Sequence, residues 1–362
     1  MLVESGRPLT FSTLLIDEPL DDEVMVRTER VGLCHSDLHY VSGSLSIATP
    51  AVLGHEAAGI VERVGPLVTR VKPGDRVVAT VTPSCGQCSA CLRGLPTQCQ
   101  RVDQLRVRSR PKLVTQAGND VQVLGGLGAF CEAFVVGETS LAVVSAHLPP
   151  EVACLLGCCV TTGVGAVVHG CAIGPNDTVA VIGCGGVGIA AIQGARLAGA
   201  RRVVAVDRVP EKLELARRFG ATHGVLADGD NEKSRLALLH VQPSGFTHAL
   251  EAVGRRQTAE LAFQVLAPTG TATILGLMPT GERLQISADD LVYGDRRIQG
   301  AYMGANRFLS DVEMLIDHYT AGRLDLDGMV TAVLPFDQIE AGLSAMADPG
   351  TIRIVLDMTT GA

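Results

Sequence analysis

Short apolar runs broken by glycine and proline fill most of the chain, and their rhythm changes twice. Up to about residue 155 the runs are brief and β-rich, as at 24–27 and 76–80, with turn signals such as Lys72-Pro73-Gly74-Asp75 between them. This rhythm predicts a curled, mostly antiparallel β unit. From Asp177 the order becomes strand, glycine turn, helix, strand, with strands over 178–182 and 202–206 and a helix over 189–197 between them. A second helix is expected over 210–219, because Pro210 suits a first helical turn and Gly220 a helix end. Buried parallel strands are expected at 246–251 and 270–275, then a helix over 308–319 and a β-like ending over 351–358. No internal repeat or low-complexity segment interrupts this order.

Length and charge narrow the picture. A chain of 362 residues exceeds what one core usually serves, so two domains are expected. Hydrophobic residues make up 47%, yet no uninterrupted run reaches membrane-spanning length. Thirty Lys and Arg against 38 Asp and Glu leave a formal charge of −8, which opposes nucleic acid or an anionic membrane as partner. Only residues 101–112 are locally basic, through Arg101, Arg106, Arg108, Arg110 and Lys112, and this reads as a solvated loop. The N-terminus has no charged segment leading into an apolar run and a cleavage site, so a cytoplasmic, reducing location is expected.

Four of the eleven cysteines form a Cys-x2-Cys-x2-Cys-x7-Cys run at Cys85, Cys88, Cys91 and Cys99. Four thiolates so spaced close a tetrahedron around zinc and leave no position for a substrate, which makes the site structural. Disulfides are the alternative, and the absence of an export signal argues against them.

The glycine turn is Gly183-Cys184-Gly185-Gly186-Val187-Gly188, with the strand and helix that a dinucleotide fingerprint requires. Its first glycine permits the tight turn, its second admits a pyrophosphate, and its third brings helix and strand close. Asp207 ends the next strand, where a carboxylate accepts ribose hydroxyls and repels a 2′-phosphate, so NAD is expected over NADP. Arg208 follows directly and weakens that preference.

Three further segments carry chemistry: Gly32-Leu33-Cys34-His35-Ser36-Asp37-Leu38-His39, Gly54-His55-Glu56, and Gly157-Cys158-Cys159-Val160-Thr161-Thr162-Gly163. One Cys, one His and one Cys from separated segments match a catalytic zinc site with a fourth position open. With the lobe, the fingerprint and Val71 to Val77 (V-x-P-G-D-x-V), these motifs resemble the zinc-dependent medium-chain alcohol dehydrogenase family over essentially the whole chain.

That resemblance implies an α/β protein, with a partly open β-barrel (GroES-like) catalytic domain plus a doubly wound Rossmann nucleotide-binding domain. The catalytic domain is expected from residues 1–158 and 303–362, including the zinc lobe at 85–99, and the nucleotide domain from 159–302. It implies Cys34, His55 and Cys158 as ligands of a catalytic zinc, with Glu56 as a carboxylate behind them that approaches the metal only at times and Asp37 as the partner of the second His55 nitrogen. Two zinc ions per chain, one catalytic and one structural, and NAD are the expected cofactors. Ser36 is expected to accept the alcohol proton and pass it through the cofactor ribose to His39. His35, Lys212 and Arg353 resemble phosphate and ribose contacts, and Thr162 a nicotinamide contact, beside Gly183, Gly185, Gly186, Val187, Gly188, Asp207 and Arg208.

The resemblance also implies a substrate pocket lined by Leu45, Val81, Phe130 and Leu291. A largely apolar pocket without fixed charges favours a primary aliphatic, allylic or aromatic alcohol and its aldehyde. A nicotinoprotein that retains NAD, and a polyol or thiol-adduct dehydrogenase on the same scaffold, are the alternatives. Asp103 stands where the glutathione-dependent formaldehyde branch carries its carboxylate-binding arginine, which argues against glutathione adducts. The long loop from Cys99 to Phe130 resembles that of dimeric members, so a homodimer is expected, with a homotetramer as the alternative.

Overall fold

The computed structural model describes residues 1–360, and two sheets set the site between them. Six parallel strands form one sheet in the order His223–Leu226, Arg202–Asp207, Thr178–Ile182, Phe246–Glu251, Leu266–Ile274, Arg297–Gly300. The central strand Thr178–Ile182 is buried at every position, because helices cover both faces of such a sheet and leave no polar side. The order reverses between Thr178–Ile182 and Phe246–Glu251, and ligands of doubly wound sheets bind at that kind of switch point.

The other large sheet is curled and mixed. Its strands run in the order Val330–Pro335, Arg353–Asp357, Glu23–Gly32, Ala57–Val64, Arg76–Ala79, Leu141–Val143, with Ala133–Gly137 also paired to Glu23–Gly32. Every pairing is antiparallel except that of Val330–Pro335 with Arg353–Asp357. Strands from both ends of the chain therefore share one sheet. A four-stranded sheet, built from Leu14–Ile16, Leu113–Thr115, Asp120–Val123 and Ala51–Val52, closes beside it.

Helical residues 150–171 form the seam between the large sheets. Val160 and Val164 belong to one continuous buried cluster that also holds Ala58 and Val78 of the mixed sheet and Ile189 and Ala190 of the nucleotide helix. Gly163 permits this approach, since a Cβ there would lie 2.4 Å from the Val187 carbonyl oxygen.

Most predicted elements are present with shifted ends. The nucleotide helix spans Gly186–Leu197 and starts three residues before the expected 189, because its first turn is built from glycines that carry no apolar signal. The strand expected at 270–275 runs Leu266–Ile274, passing Pro268 with a register shift opposite Phe246 and His248. The apolar pattern does not announce two further helices, Asn231–Val241 and Arg256–Gln264. The first is capped by Asp230, whose side chain accepts from the Glu232 and Lys233 amides. No single helix among the described residues is long and apolar enough to cross a membrane.

Candidate active site and metal centres

Cys34, His55 and Cys158 come from three separate connections, and their ligand atoms lie within 4.8 Å of one another, all buried. Cys34 caps the helix His35–Ser42, and Cys158 sits at the break between the turn Cys154–Gly157 and the helix Cys159–Gly165. Asp37, fully buried, holds the first two segments together. Its Oδ1 lies 3.1 Å from His55 Nδ1 and accepts the Gly54 amide at 3.2 Å, and its Oδ2 accepts the Cys34 amide at 3.2 Å. The ring's Nε2 is thereby left to bind a metal.

The electrostatics agree with this donor set. The Cys158 thiol, hydrogen-bonded to Cys34, together with nearby His55 holds the Cys34 thiol well below its ordinary range. The same contact raises Cys158. Burial alone would lower His55, but Asp37 and Cys34 hold it well above its usual value. One thiol held low beside a second that shares its hydrogen bond, and one imidazole oriented by a carboxylate, fit a zinc ion with one position open.

Glu56 stands behind the clustered metal donors. It is not among the clustered donors: its Oε1 accepts from Cys159 Sγ at 3.3 Å and lies 3.3 Å from Arg353 Nε, while Oε2 is buried without a partner. Burial raises its carboxyl to about 7, against the pull of Arg353. Cys159 thus serves Glu56 and is turned away from the metal donors. Arg353 is itself buried, donates to the Leu33 carbonyl at 2.9 Å, and lies against the nucleotide helix, where a Cβ on Gly186 would be 2.7 Å from its Nη2.

Ser36 and His39 lie one helical turn apart on His35–Ser42. The Ser36 Oγ accepts from Cys34 Sγ at 3.6 Å and lines a cavity of about 810 Å³ whose wall includes His55 and Cys158. Val81 lines it as expected, together with Tyr40, Ile47, Leu277, Tyr302 and Met303. The rest of the expected lining is corrected. Phe130 faces a separate small cavity near Met1, Leu291 lies half-exposed on the helix Ala288–Tyr293, and Leu45 is not part of the wall.

A pocket free of fixed charge is also corrected, because Arg106, Arg108, Arg110, Lys112 and Asp120 line it too. The basic segment is not a solvated loop throughout. The Arg108 side chain is 6% exposed, 2.8 Å from both Asp17 and Glu23. The sequence offered no signal for this, because the partner carboxylates lie some 90 positions away.

In the lobe, the ligand atoms of Cys85, Cys88, Cys91 and Cys99 also lie within 4.8 Å of one another, and no disulfide joins them. Backbone amides point at the sulfurs: Cys88 N to Cys85 Sγ at 3.3 Å, Gln100 N to Cys88 Sγ at 3.4 Å, and Arg101 N to Cys99 Sγ at 3.4 Å. Amides of Cys91 and Gln100 hold the Cys88 thiol down to about 6, while burial and Cys88 push Cys91 up to about 12. Sulfurs ringed by N–H donors are suited to the thiolate form that binds zinc.

At the switch point Gly183 takes φ +97°, and a Cβ at Gly188 would lie 1.8 Å from the Gly183 carbonyl oxygen, so that position admits no side chain. A Cβ on Gly185, by contrast, would meet nothing within 4 Å. That open space before a helix N-terminus fits a pyrophosphate. Asp207 closes the far side, its two oxygens accepting the amides of Cys184 at 2.8 Å and Val209 at 3.0 Å. Each oxygen keeps a lone pair for a ribose hydroxyl. Arg208 is exposed beside it, and Thr162 is buried on the helix Cys159–Gly165 with Oγ1 3.8 Å from Met303 Sδ. His35 is exposed at the start of its helix, and desolvation, with Arg353 and Lys212 adding to it, lowers its pKa.

A zinc-ligand cluster in the wall of a cavity, next to a dinucleotide turn, defines a zinc-binding dehydrogenase. Residues 20–146 match the alcohol dehydrogenase GroES-like domain and residues 186–319 the zinc-binding dehydrogenase domain. The chain is 35% identical over 361 residues to alcohol dehydrogenase class-3 of Myxine glutinosa, covering 98% of this chain and 96% of the relative. Among solved structures it resembles an alcohol dehydrogenase zinc-binding domain protein from Burkholderia ambifaria, with TM-score 0.91 and 30% identity over 98% of this chain and 97% of the other. It also resembles benzyl alcohol dehydrogenase from Acinetobacter calcoaceticus, with TM-score 0.86 and 29% identity over 95% and 94%. The chain belongs to the zinc-dependent medium-chain alcohol dehydrogenase family.

Proposed function

We propose that this enzyme oxidises a primary alcohol to its aldehyde, reversibly, with NAD as hydride acceptor. The reading is carried by one observation: the donors of Cys34, His55 and Cys158 converge, and His55 and Cys158 line the same cavity as Ser36. When bound, zinc supplies a Lewis acid at the alcohol oxygen and NAD accepts the hydride. Ser36 Oγ receives the alcohol proton, and half-buried His39, one turn along, carries it outward. Asp37 fixes the His55 ring, and Glu56 with Arg353 braces the floor between the metal donors and the nucleotide helix. The open backbone at Gly185, with Gly183, Gly186, Val187 and Gly188 around it, receives the pyrophosphate, and Lys212, His35 and Arg353 add positive charge. Thr162 borders the nicotinamide end.

NAD is favoured over NADP by Asp207, which already orients two amides and meets a 2′-phosphate with like charge. The reading divides the chain into a catalytic unit of residues 1–158 and 303–362, with the lobe at 85–99, and a nucleotide unit of 159–302. Its assembly is a homodimer joined through the exposed edge strand Arg297–Gly300, next to which Val292 and Tyr293 are 75% and 88% exposed. The apolar part of the cavity lining, Ile47, Val81, Leu277 and Met303, favours aliphatic or aromatic alcohols over sugars.

A spectrophotometric screen of primary alcohols, secondary alcohols and polyols with NAD and NADP, on protein of known zinc content, tests this. Turnover of primary alcohols with NAD is expected. Turnover of polyols alone, or with NADP alone, overturns it.

A further inference from the structure

Three carboxylates among the described residues have no exposed surface: Asp37, Glu56 and Glu251. The first two brace the metal donors, and Glu251 has no place in the mechanism above. It ends the strand Phe246–Glu251 at the switch point, where ligands of such sheets bind beyond the strand ends. Its Oε1 accepts the amides of Val253 at 2.9 Å and Gly254 at 2.8 Å and the Thr258 hydroxyl at 2.7 Å, while Oε2 is buried without a partner. Burial pushes this carboxyl up, against the pull of Thr258 and of the Gly254 and Val253 amides. An orphaned buried oxygen costs free energy that packing alone does not return, so the group calls for a reason.

The reason lies in what the bonds hold. Val253, 40% exposed, is fixed against the dinucleotide turn, for a Cβ on Gly183 would lie 2.6 Å from its Cγ2. The neighbouring loop, which follows the strand Leu266–Ile274, is tied to the same residue: the Glu251 carbonyl accepts the amides of Leu275 at 2.8 Å and Gly276 at 3.1 Å. A Cβ on Gly276 would lie 2.8 Å from Glu251 Oε2, and one on Gly254, at φ +82°, would collide with the Leu277 carbonyl oxygen. The two loops are therefore packed backbone to backbone around one side chain. Leu277, 42% exposed, lines the active-site cavity.

We propose that Glu251 is a positioning residue for both ligands, holding Val253 at the nucleotide turn and Leu277 in the cavity wall, so that one carboxyl sets NAD affinity and alcohol selectivity together. This rests on the reading of the enzyme as an NAD-dependent alcohol dehydrogenase. Thr258, on the helix Arg256–Gln264, completes the device by anchoring Oε1 to a third element.

The test measures KM for NAD, and kcat/KM for long over short straight-chain primary alcohols, on zinc-loaded enzyme well below its thermal midpoint. Glu251→Leu leaves two amides and a hydroxyl without their acceptor and should raise the KM for NAD by about tenfold and lower the long-to-short ratio by about threefold. Glu251→Gln keeps the Oε1 acceptor and should hold both values within about twofold. Thr258→Val should move both in the same direction by less, and it alone decides if Glu251→Leu does not fold. Leu277→Ala should lower the long-to-short ratio, and Glu251→Leu added to it should lower that ratio little further, as coupled residues do. A role confined to folding would lower the thermal midpoint and leave both values in place, which overturns the proposal, as does a change in only one of them. Either result leaves the alcohol reading standing while the unmodified enzyme turns over primary alcohols with NAD. No such turnover overturns both.

Discussion

Asp37 and His55, eighteen residues apart, meet at 3.1 Å with no access to solvent at the carboxylate, and the same carboxylate takes the amides of Cys34 and Gly54. One side chain thus sets the ring and the backbone of two metal-donor segments. Asp37→Ala should weaken zinc at that site by about 10- to 100-fold, as loss of a ligand's hydrogen-bond partner does. Metal analysis after dialysis against a mild chelator should show loss from this site and retention in the lobe. Equal retention at both would mean the carboxylate does not orient the ring.

Cys91→Ser probes the lobe separately. Its thiol is one of four whose donors lie within 4.8 Å, so replacement should remove about one equivalent of zinc and lower the thermal midpoint. Absorbance of a cobalt-substituted protein should lose the thiolate band of the four-sulfur site. An unchanged metal content would refute the assignment.

Asp207→Ala should move the ratio of kcat/KM for NADP over NAD upward by about tenfold, since it removes the negative charge that repels a 2′-phosphate and leaves Arg208 beside it. The Cys184 and Val209 amides lose their acceptor in the same variant, so part of the change should appear as a raised KM for NAD. An unmoved ratio would place the ribose elsewhere.

Lys112 gives a pH signature. Burial lowers its ammonium from 10.5 to about 8; Glu23 and Asp22 pull it upward, while Arg108 and Arg106 push it down. The folded protein then holds fewer protons than the unfolded chain between about 8 and 10.5, so stability from this group is complete above that window and is lost as pH falls through 8. Denaturant unfolding should show the native protein gaining on Lys112→Met as pH rises across the window.

Arg108→Met should cost about 3 kcal/mol, because Glu23 would be left largely buried without its cation while Asp17 keeps only Arg110. Arg110→Met, whose side chain is 53% exposed, should cost under about 1 kcal/mol. Urea titration of both distinguishes an anchoring residue from a surface one, and equal losses would contradict the geometry.

What the sequence disclosed was mostly local chemistry. The Cys-x2-Cys-x2-Cys-x7-Cys run and the glycine turn each place their atoms within a few residues, so spacing alone fixes what they can hold. Cys34, His55 and Cys158 are far apart, and only a resemblance in motif order indicated that they might meet. The charged part of the lining was illegible for a physical reason. Whether Arg108 faces water or Glu23 depends on a contact across 85 positions, and nothing in the local composition of 101–112 encodes it. The partner of Glu56 was hidden on similar grounds, because Arg353 arrives from the other end of the chain.

That arrival has a consequence for biogenesis. The strand Arg353–Asp357 lies between Glu23–Gly32 and Val330–Pro335, and Arg353 reaches a carbonyl 320 positions earlier. The nucleotide-binding half is contiguous and can mature while translation continues, whereas the mixed sheet stays open until its closing strand has left the ribosome. A nascent chain stalled short of residue 353 would carry its cysteines and His55 beneath an unfinished roof, exposed to whichever thiophilic ion its surroundings offered first.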